Sequence, residues 1–112
     1  MKKRFIITLL AACLILLPLS LFAEDKMEIT TVTQIPDMEL GTWINLEGNI
    51  VEKLGHEIYL FRDSTGEMEL FIRDDRWGDF DYDPDKKSRV YGKVILKDGK
   101  IKIEPKRVKY LD

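Results

Sequence analysis

Trp43-Ile44-Asn45-Leu46-Glu47-Gly48-Asn49-Ile50-Val51 decides how the chain folds. Ile44, Leu46 and Ile50 alternate with Asn45, Glu47 and Asn49, the period-2 pattern of a strand with one buried face. A first strand is expected over residues 43–54. Gly48 interrupts it, and a glycine inside a strand marks a bulge or tight bend of the kind a small barrel needs to curl.

Reading outward from this run, a second strand is expected over residues 57–62 and a third over 67–73, joined by the turn Asp63-Ser64-Thr65-Gly66. With Arg62 opposite Glu67, Tyr59, Phe61, Met68, Leu70 and Ile72 share one uniformly apolar face, the expected core. Ile58, Leu60, Arg62, Glu67, Glu69 and Phe71 take the other. Residues 74–87 break every periodic pattern and read as a loop, with one helical turn around Asp75-Arg76-Trp77. A fourth strand follows over 89–96, with Val90, Val94 and Leu96 inward and Gly92 at a bend. Lys97-Asp98-Gly99-Lys100 favours a tight hairpin. The fifth strand spans 101–110, with Ile101 and Ile103 inward, Lys100, Lys102 and Glu104 outward, and a bulge or departure at Pro105. Before the first strand, Thr31-Val32-Thr33-Gln34 has capping-box spacing, and Pro36 limits the helix it starts. The expectation is an all-β fold: a small five-stranded Greek-key barrel of the OB type with a short N-terminal helix or helical turn.

The N-terminus reads as a secretory signal peptide over residues 1–23. Met1-Lys2-Lys3-Arg4 is basic, residues 5–17 are apolar, and Leu21-Phe22-Ala23 precedes the acidic Glu24-Asp25. The expected domain then covers residues 24–112 and works in the periplasm, with no stable membrane insertion after cleavage. Leu10-Ala11-Ala12-Cys13 spells a lipoprotein box, so lipid anchoring at Cys13 is an alternative. Retention of the leader as an anchor is another, although residues 5–22 are short for crossing about 30 Å of hydrocarbon.

Beyond the leader the chain has no cysteine, which excludes disulfides and thiolate metal cages. Charge is divided unevenly. Residues 24–85 hold 5 basic and 17 acidic side chains, whereas residues 86–112 hold 10 basic and 3 acidic ones. Either the basic segment serves an anionic partner, or the two halves lie side by side and neutralise one another across the sheet.

Catalysis finds little support. The only histidine, His56, sits between two expected strands, and beyond the leader only Ser64 and Ser88 offer hydroxyl nucleophiles of the serine type. No cofactor is implied, and a non-enzymatic role is expected. Six aspartates, Asp74, Asp75, Asp79, Asp81, Asp83 and Asp85, crowd into 12 residues. Asp79, Asp81 and Asp83 echo the opening of a calcium loop, but Pro84 and Val90 stand where an EF-hand needs glycine and glutamate. What survives is water-rich binding of a divalent cation through Asp79, Asp81 and Asp83. Trp77 is expected to plug one end of the barrel, and Phe80 and Tyr82 to contact a partner.

OB barrels commonly bind ligands on strands two and three and the adjoining loops. That surface here offers Ile58, Leu60, Arg62 and Phe71. One aromatic among balanced charges is not the basic aromatic groove that single-stranded nucleic acid requires. It suits an envelope protein, a cationic peptide or a small ligand better.

Trp43-Ile44-Asn45-Leu46-Glu47-Gly48-Asn49-Ile50-Val51, Tyr59-Leu60-Phe61-Arg62-Asp63 with Gly66, Arg76-Trp77 and Val90-Tyr91-Gly92-Lys93-Val94 resemble the BOF (bacterial OB-fold) family of periplasmic proteins, of the YgiW/YdeI stress-tolerance type. The resemblance covers essentially residues 31–111. It implies a five-stranded OB barrel with an N-terminal helix and a binding or protective role in envelope stress tolerance. It transfers no catalytic residues. Ile35-Pro36 and the acidic stretch after Trp77 depart from the family pattern.

Overall fold

A computed structural model describes residues 28–111, so the expected leader and Cys13 lie outside the described residues. Five strands follow a short 3-10 helix, Val32–Asp37: β1 (Trp43–Gly55), β2 (Ile58–Arg62), β3 (Glu67–Phe71), β4 (Ser88–Lys97) and β5 (Lys100–Tyr110). One helical turn, α1 (Asp74–Trp77), stands between β3 and β4. The strands close in the order β1-β2-β3-β5-β4, antiparallel throughout except where β3 meets β5 in parallel at Leu70 and Ile103. Closure leaves few free sheet edges around the core, which lets so small a sheet bury it.

The expected register holds: Arg62 pairs with Glu67, and Tyr59 with Leu70. Ile44, Leu46, Ile50, Tyr59, Phe61, Leu70, Ile72, Val90, Val94 and Ile103 fill the barrel, with Val32 and Ile35 closing it from the 3-10 helix. Two glycines permit the curvature. A Cβ on Gly48 would lie 2.3 Å from the Arg62 carbonyl oxygen and 2.7 Å from Cζ of Phe61; one on Gly92 would lie 2.5 Å from the Glu104 carbonyl oxygen. The register shifts between Tyr91 and Gly92, so Lys106 is bulged out just after Pro105, where the proline foretold an irregularity. Asp98 and Gly99 both take positive φ, as a tight hairpin demands.

Four expectations need correction. Leu96 is 57% exposed rather than inward, because β1 stops pairing with β4 at Lys93 and leaves the end of the β4–β5 hairpin as a two-stranded ribbon. Lys102 is only 3% exposed rather than outward: at the β3–β5 seam its stem is covered and its ammonium meets Glu69. Pro36 lies inside the 3-10 helix instead of ending it, and the helix closes one residue later with Met38 N–H donating to the Ile35 carbonyl at 2.9 Å. Glu57 falls outside β2, and Ile72 and Arg73 fall outside β3. Glu57 sits in the β1–β2 turn with φ of 61°, and Arg73 caps α1.

Asp63 ties the β2–β3 turn to the N-terminal helix. Its Oδ2 accepts from Val32 N–H at 2.9 Å, and Oδ1 accepts from Thr65 N–H at 2.7 Å, Thr65 Oγ1 at 2.6 Å and Gly66 N–H at 3.1 Å. Burial pushes this carboxyl up, but the four hydrogen bonds together outweigh it and hold the group below the usual aspartate range. A depressed native value means stability that is full above the ordinary range and lost as pH falls through the native one. Asp63→Ala should therefore cost about 1–2 kcal/mol near neutral pH. The gap between the urea midpoints of parent and variant should close in acid; a gap independent of pH refutes a role for the carboxylate charge.

Candidate functional site

On the outer face of β2 and β3, Ile58 pairs with Phe71, Leu60 with Glu69, and Arg62 with Glu67. Strand alternation puts these side chains outside because their neighbours Tyr59, Phe61 and Leu70 are consumed by the core. Ile58, Leu60 and Phe71 form a half-buried apolar patch. Its rim is ionic and largely self-compensated. Arg62 Nε donates to Glu67 at 2.7 Å. Lys100 Nζ lies 2.8 Å from Glu69 Oε2, and Lys102 donates to the other oxygen of the same carboxylate. Hydrogen bonds from Lys100 and then Lys102 hold Glu69 below the usual glutamate range, against the opposing effect of burial. Lys97 places its ammonium 4.4 Å from the Phe71 ring centroid, close enough for a cation–π contact.

The patch continues into a groove of about 310 Å³ between the 3-10 helix and the β3–β5 seam. Ile35, Pro36, Leu60, Met68 and Ile101 supply its apolar lining, with Glu69 and Lys100 at the edge. Sequence reasoning placed Ile58, Leu60, Arg62 and Phe71 here, and the structure brings them together. It missed Pro36, Lys97, Lys100 and Ile101, which come from a distant helix and hairpin. The only available signal was the long β4–β5 hairpin, whose residues had to land beside β3 once the barrel closed.

Phe80 and Tyr82, expected to reach a partner from a solvated loop, are instead folded onto the barrel end. Both rings meet Tyr59 edge-on, at 5.5 and 5.7 Å between centroids, and Trp77 meets Phe80 at 5.5 Å. Tyr82 Oη also accepts from Lys53 N–H at 3.2 Å. Trp77 is half-buried and packs against the core.

Asp79, Asp81 and Asp83 do not converge on one point. Asp83 is engaged in the loop itself: its Oδ1 accepts from Asp85 N–H at 3.0 Å, and its own N–H donates to Tyr110 Oη at 2.6 Å. Among the described residues, one trio of candidate metal ligands has atoms within 4.8 Å of one another: His56, Glu57 and Asp74. His56 Nδ1 is 3.4 Å from Asp74 Oδ2 and Nε2 is 3.5 Å from Glu57 Oε1, with the imidazole 76% exposed. Neither Ser64 nor Ser88 approaches His56 in a hydrogen bond among the described residues.

The model of the bacterial OB fold (BOF) protein family matches residues 21–110. YgiW of Escherichia coli K12 is 28% identical over 81 residues, covering 72% of this chain and 62% of that protein, and the YgiW of E. coli O157:H7 matches equally. The chain thus spans a little under two thirds of these relatives' length. The solved structure of E. coli YgiW superposes with a TM-score of 0.67 at 27% identity, covering 75% of this chain and 90% of that one. A murine DNA-binding protein bound to double-stranded DNA superposes at 0.59 with 18% identity, over 76% of this chain and 49% of that one, and shares the fold alone. Barrel order, parallel closure and sequence agree: this chain belongs to the bacterial OB fold (BOF) protein family.

Proposed function

We propose that the protein is a non-enzymatic binding or adaptor module of the periplasm, acting in envelope stress tolerance and holding a peptide or protein segment on the outer face of β2 and β3. One observation carries this reading: the Ile58–Leu60–Phe71 patch, rimmed by paired charges, runs into the groove beside Pro36 and Ile101. An apolar centre with a polar rim is the anatomy of a protein contact. The exposed aspartates Asp79, Asp81 and Asp85 attract cationic segments to the molecule by electrostatic steering. Expected binding is modest, because the rim charges already satisfy one another.

A second reading, divalent-cation binding, draws on the His56–Glu57–Asp74 trio rather than on Asp79, Asp81 and Asp83. One experiment separates the two. Amide chemical shifts of isotope-labelled protein are mapped against a cationic amphipathic peptide, and then against calcium and zinc. The adaptor reading expects the peptide to move residues 58–60, 69–71 and 100–101, and Leu60→Glu or Phe71→Glu to weaken binding by on the order of tenfold or more, the scale of an interface anchor. Shifts confined to residues 56, 57 and 74 with the metals alone select the cation reading. A blank map for the peptide removes the adaptor site.

A further inference from the structure

The basic half of the chain is only partly neutralised by the acidic half. Arg89 forks onto Glu47 at 2.9 and 2.6 Å, and Lys100 and Lys102 share Glu69. Among the described residues, Lys93, Lys106, Arg107 and Lys109 have no carboxylate within 4.0 Å, the span of an ion pair. All four belong to β4 and β5. Register sets Tyr91 beside Asn45 and Arg107, and Arg89 beside Glu47 and Lys109, so one outer face spans β1, β4 and β5. Of the acidic side chains there, Glu47 is held by Arg89, and Glu104 stands 3.9 Å from Arg73.

Aromatic rings sit among these cations. Trp43, 47% exposed, stacks on Tyr91 with centroids 5.1 Å apart. Lys93 and Lys106 hold their ammonium groups 5.8 and 5.7 Å from the Trp43 centroid, and Arg107 lies 5.1 Å from that of Tyr91. Leu40, just before this tryptophan, is 55% exposed.

We propose that this face docks the protein, peripherally, on an anionic phospholipid surface. Three features favour a bilayer over a polymer. The face spreads its cations over three strands, with a pocket of about 300 Å³ beside Tyr91 and Arg107, and charge spread in this way suits an extended anionic surface. Trp43 already stacks on Tyr91 and is flanked by ammonium groups, so it is less available to a nucleobase or sugar ring, whereas its exposed part suits the headgroup region, where tryptophan accumulates. Leu40, three residues before Trp43 and exposed, adds a further apolar side chain. Lysine and arginine near an anionic leaflet each contribute to binding, and the contribution fades with salt. The aspartates of the 79–85 loop lie past the Tyr110 end, where Asp83 meets Tyr110, so repulsion there tips the molecule onto its Trp43 end. Among the described residues no helix is long and apolar enough to cross a membrane. The β2–β3 face is left free for its own partner.

Vesicle flotation tests this with a chain starting at Glu24, which retains every strand and core side chain of the described barrel. Vesicles are pure phosphatidylcholine, or equal parts phosphatidylcholine and phosphatidylglycerol. Binding is expected only to the second and should fall steeply with added salt. Exchanging Lys93, Lys106, Arg107 and Lys109 for glutamine should weaken it by about a hundredfold or more, with an unchanged far-ultraviolet spectrum to show that the barrel persists. Trp77→Phe leaves Trp43 as the sole tryptophan, and its emission should shift to the blue on the anionic vesicles. Equal binding to both vesicles, undiminished binding by the quadruple variant, or a silent Trp43 overturns the proposal. So does a single-stranded oligonucleotide that, at equal phosphate, binds the face as tightly as the vesicles do.

Discussion

Alanine at position 48 should cost about 3 kcal/mol or more, the upper end of what overpacking does, although it adds only one methyl group. The methyl would stand 2.3 Å from the Arg62 carbonyl oxygen, which is backbone and held by the β1–β2 ladder. A flexible side chain could turn aside; a ladder carbonyl has to carry its strand with it. The smaller unfolded-state entropy of alanine offsets at most about 1 kcal/mol of this. For a domain of this size the melting temperature should fall by roughly 12 °C or more, read by circular dichroism. Trimming the other neighbour gives a sharper check. Phe61→Leu removes the Cζ contact at 2.7 Å but leaves the carbonyl, so it should not rescue Gly48→Ala. Full rescue, or a Gly48→Ala variant melting within about 4 °C of the parent, refutes the close-approach account.

Phe61→Ala should cost about 3–5 kcal/mol, from the lost burial of a large ring and the cavity left behind. Phe61 has no exposed surface and faces Ile50 and Met68 across the two neighbouring strands. Marginal total stability for such a chain makes this a loss that leaves the barrel partly unfolded at room temperature. Phe71, on the paired strand but pointing out, supplies the contrast: Phe71→Ala should cost about 1 kcal/mol and leave the melt nearly intact. Denaturant midpoints measure both. Equal losses at the two positions would mean that the inner and outer faces of this hairpin are not the ones described.

That division between faces was legible before any coordinates. Period-2 alternation assigned Tyr59, Phe61, Leu70 and Ile72 to the core and left Ile58, Leu60 and Phe71 outside, because successive strand side chains must point opposite ways. Glycine and proline at 48, 92 and 105 marked where strands crowd or slip. Asp98-Gly99 and Asp63-Ser64-Thr65-Gly66 set the turns, and the capping spacing found the helix, where Gln34 Oε1 accepts from Thr31 N–H at 2.9 Å.

The errors share one cause. Lys102 was expected outside as the alternation dictates, yet the parallel closure of β3 on β5 covers it and gives its charge to Glu69. Leu96 reads as core by the same alternation, yet β1, which flanks β4, stops pairing at Lys93 and leaves it uncovered. Phe80 and Tyr82 lie in a stretch with no period at all, so only the folded loop reveals that they cap Tyr59.

Alternation and turn residues, read along the chain, were enough to indicate the barrel and, Lys102 and Leu96 apart, the side of each strand that meets water. Which separated side chains meet was decided by closure. Lys97 on Phe71, Lys100 beside Leu60 and Trp43 against Tyr91 join residues 26, 40 and 48 positions apart. A strand repeats every two residues and carries no record of its partner's register, so such contacts exist only once twist and shear have fixed the cylinder.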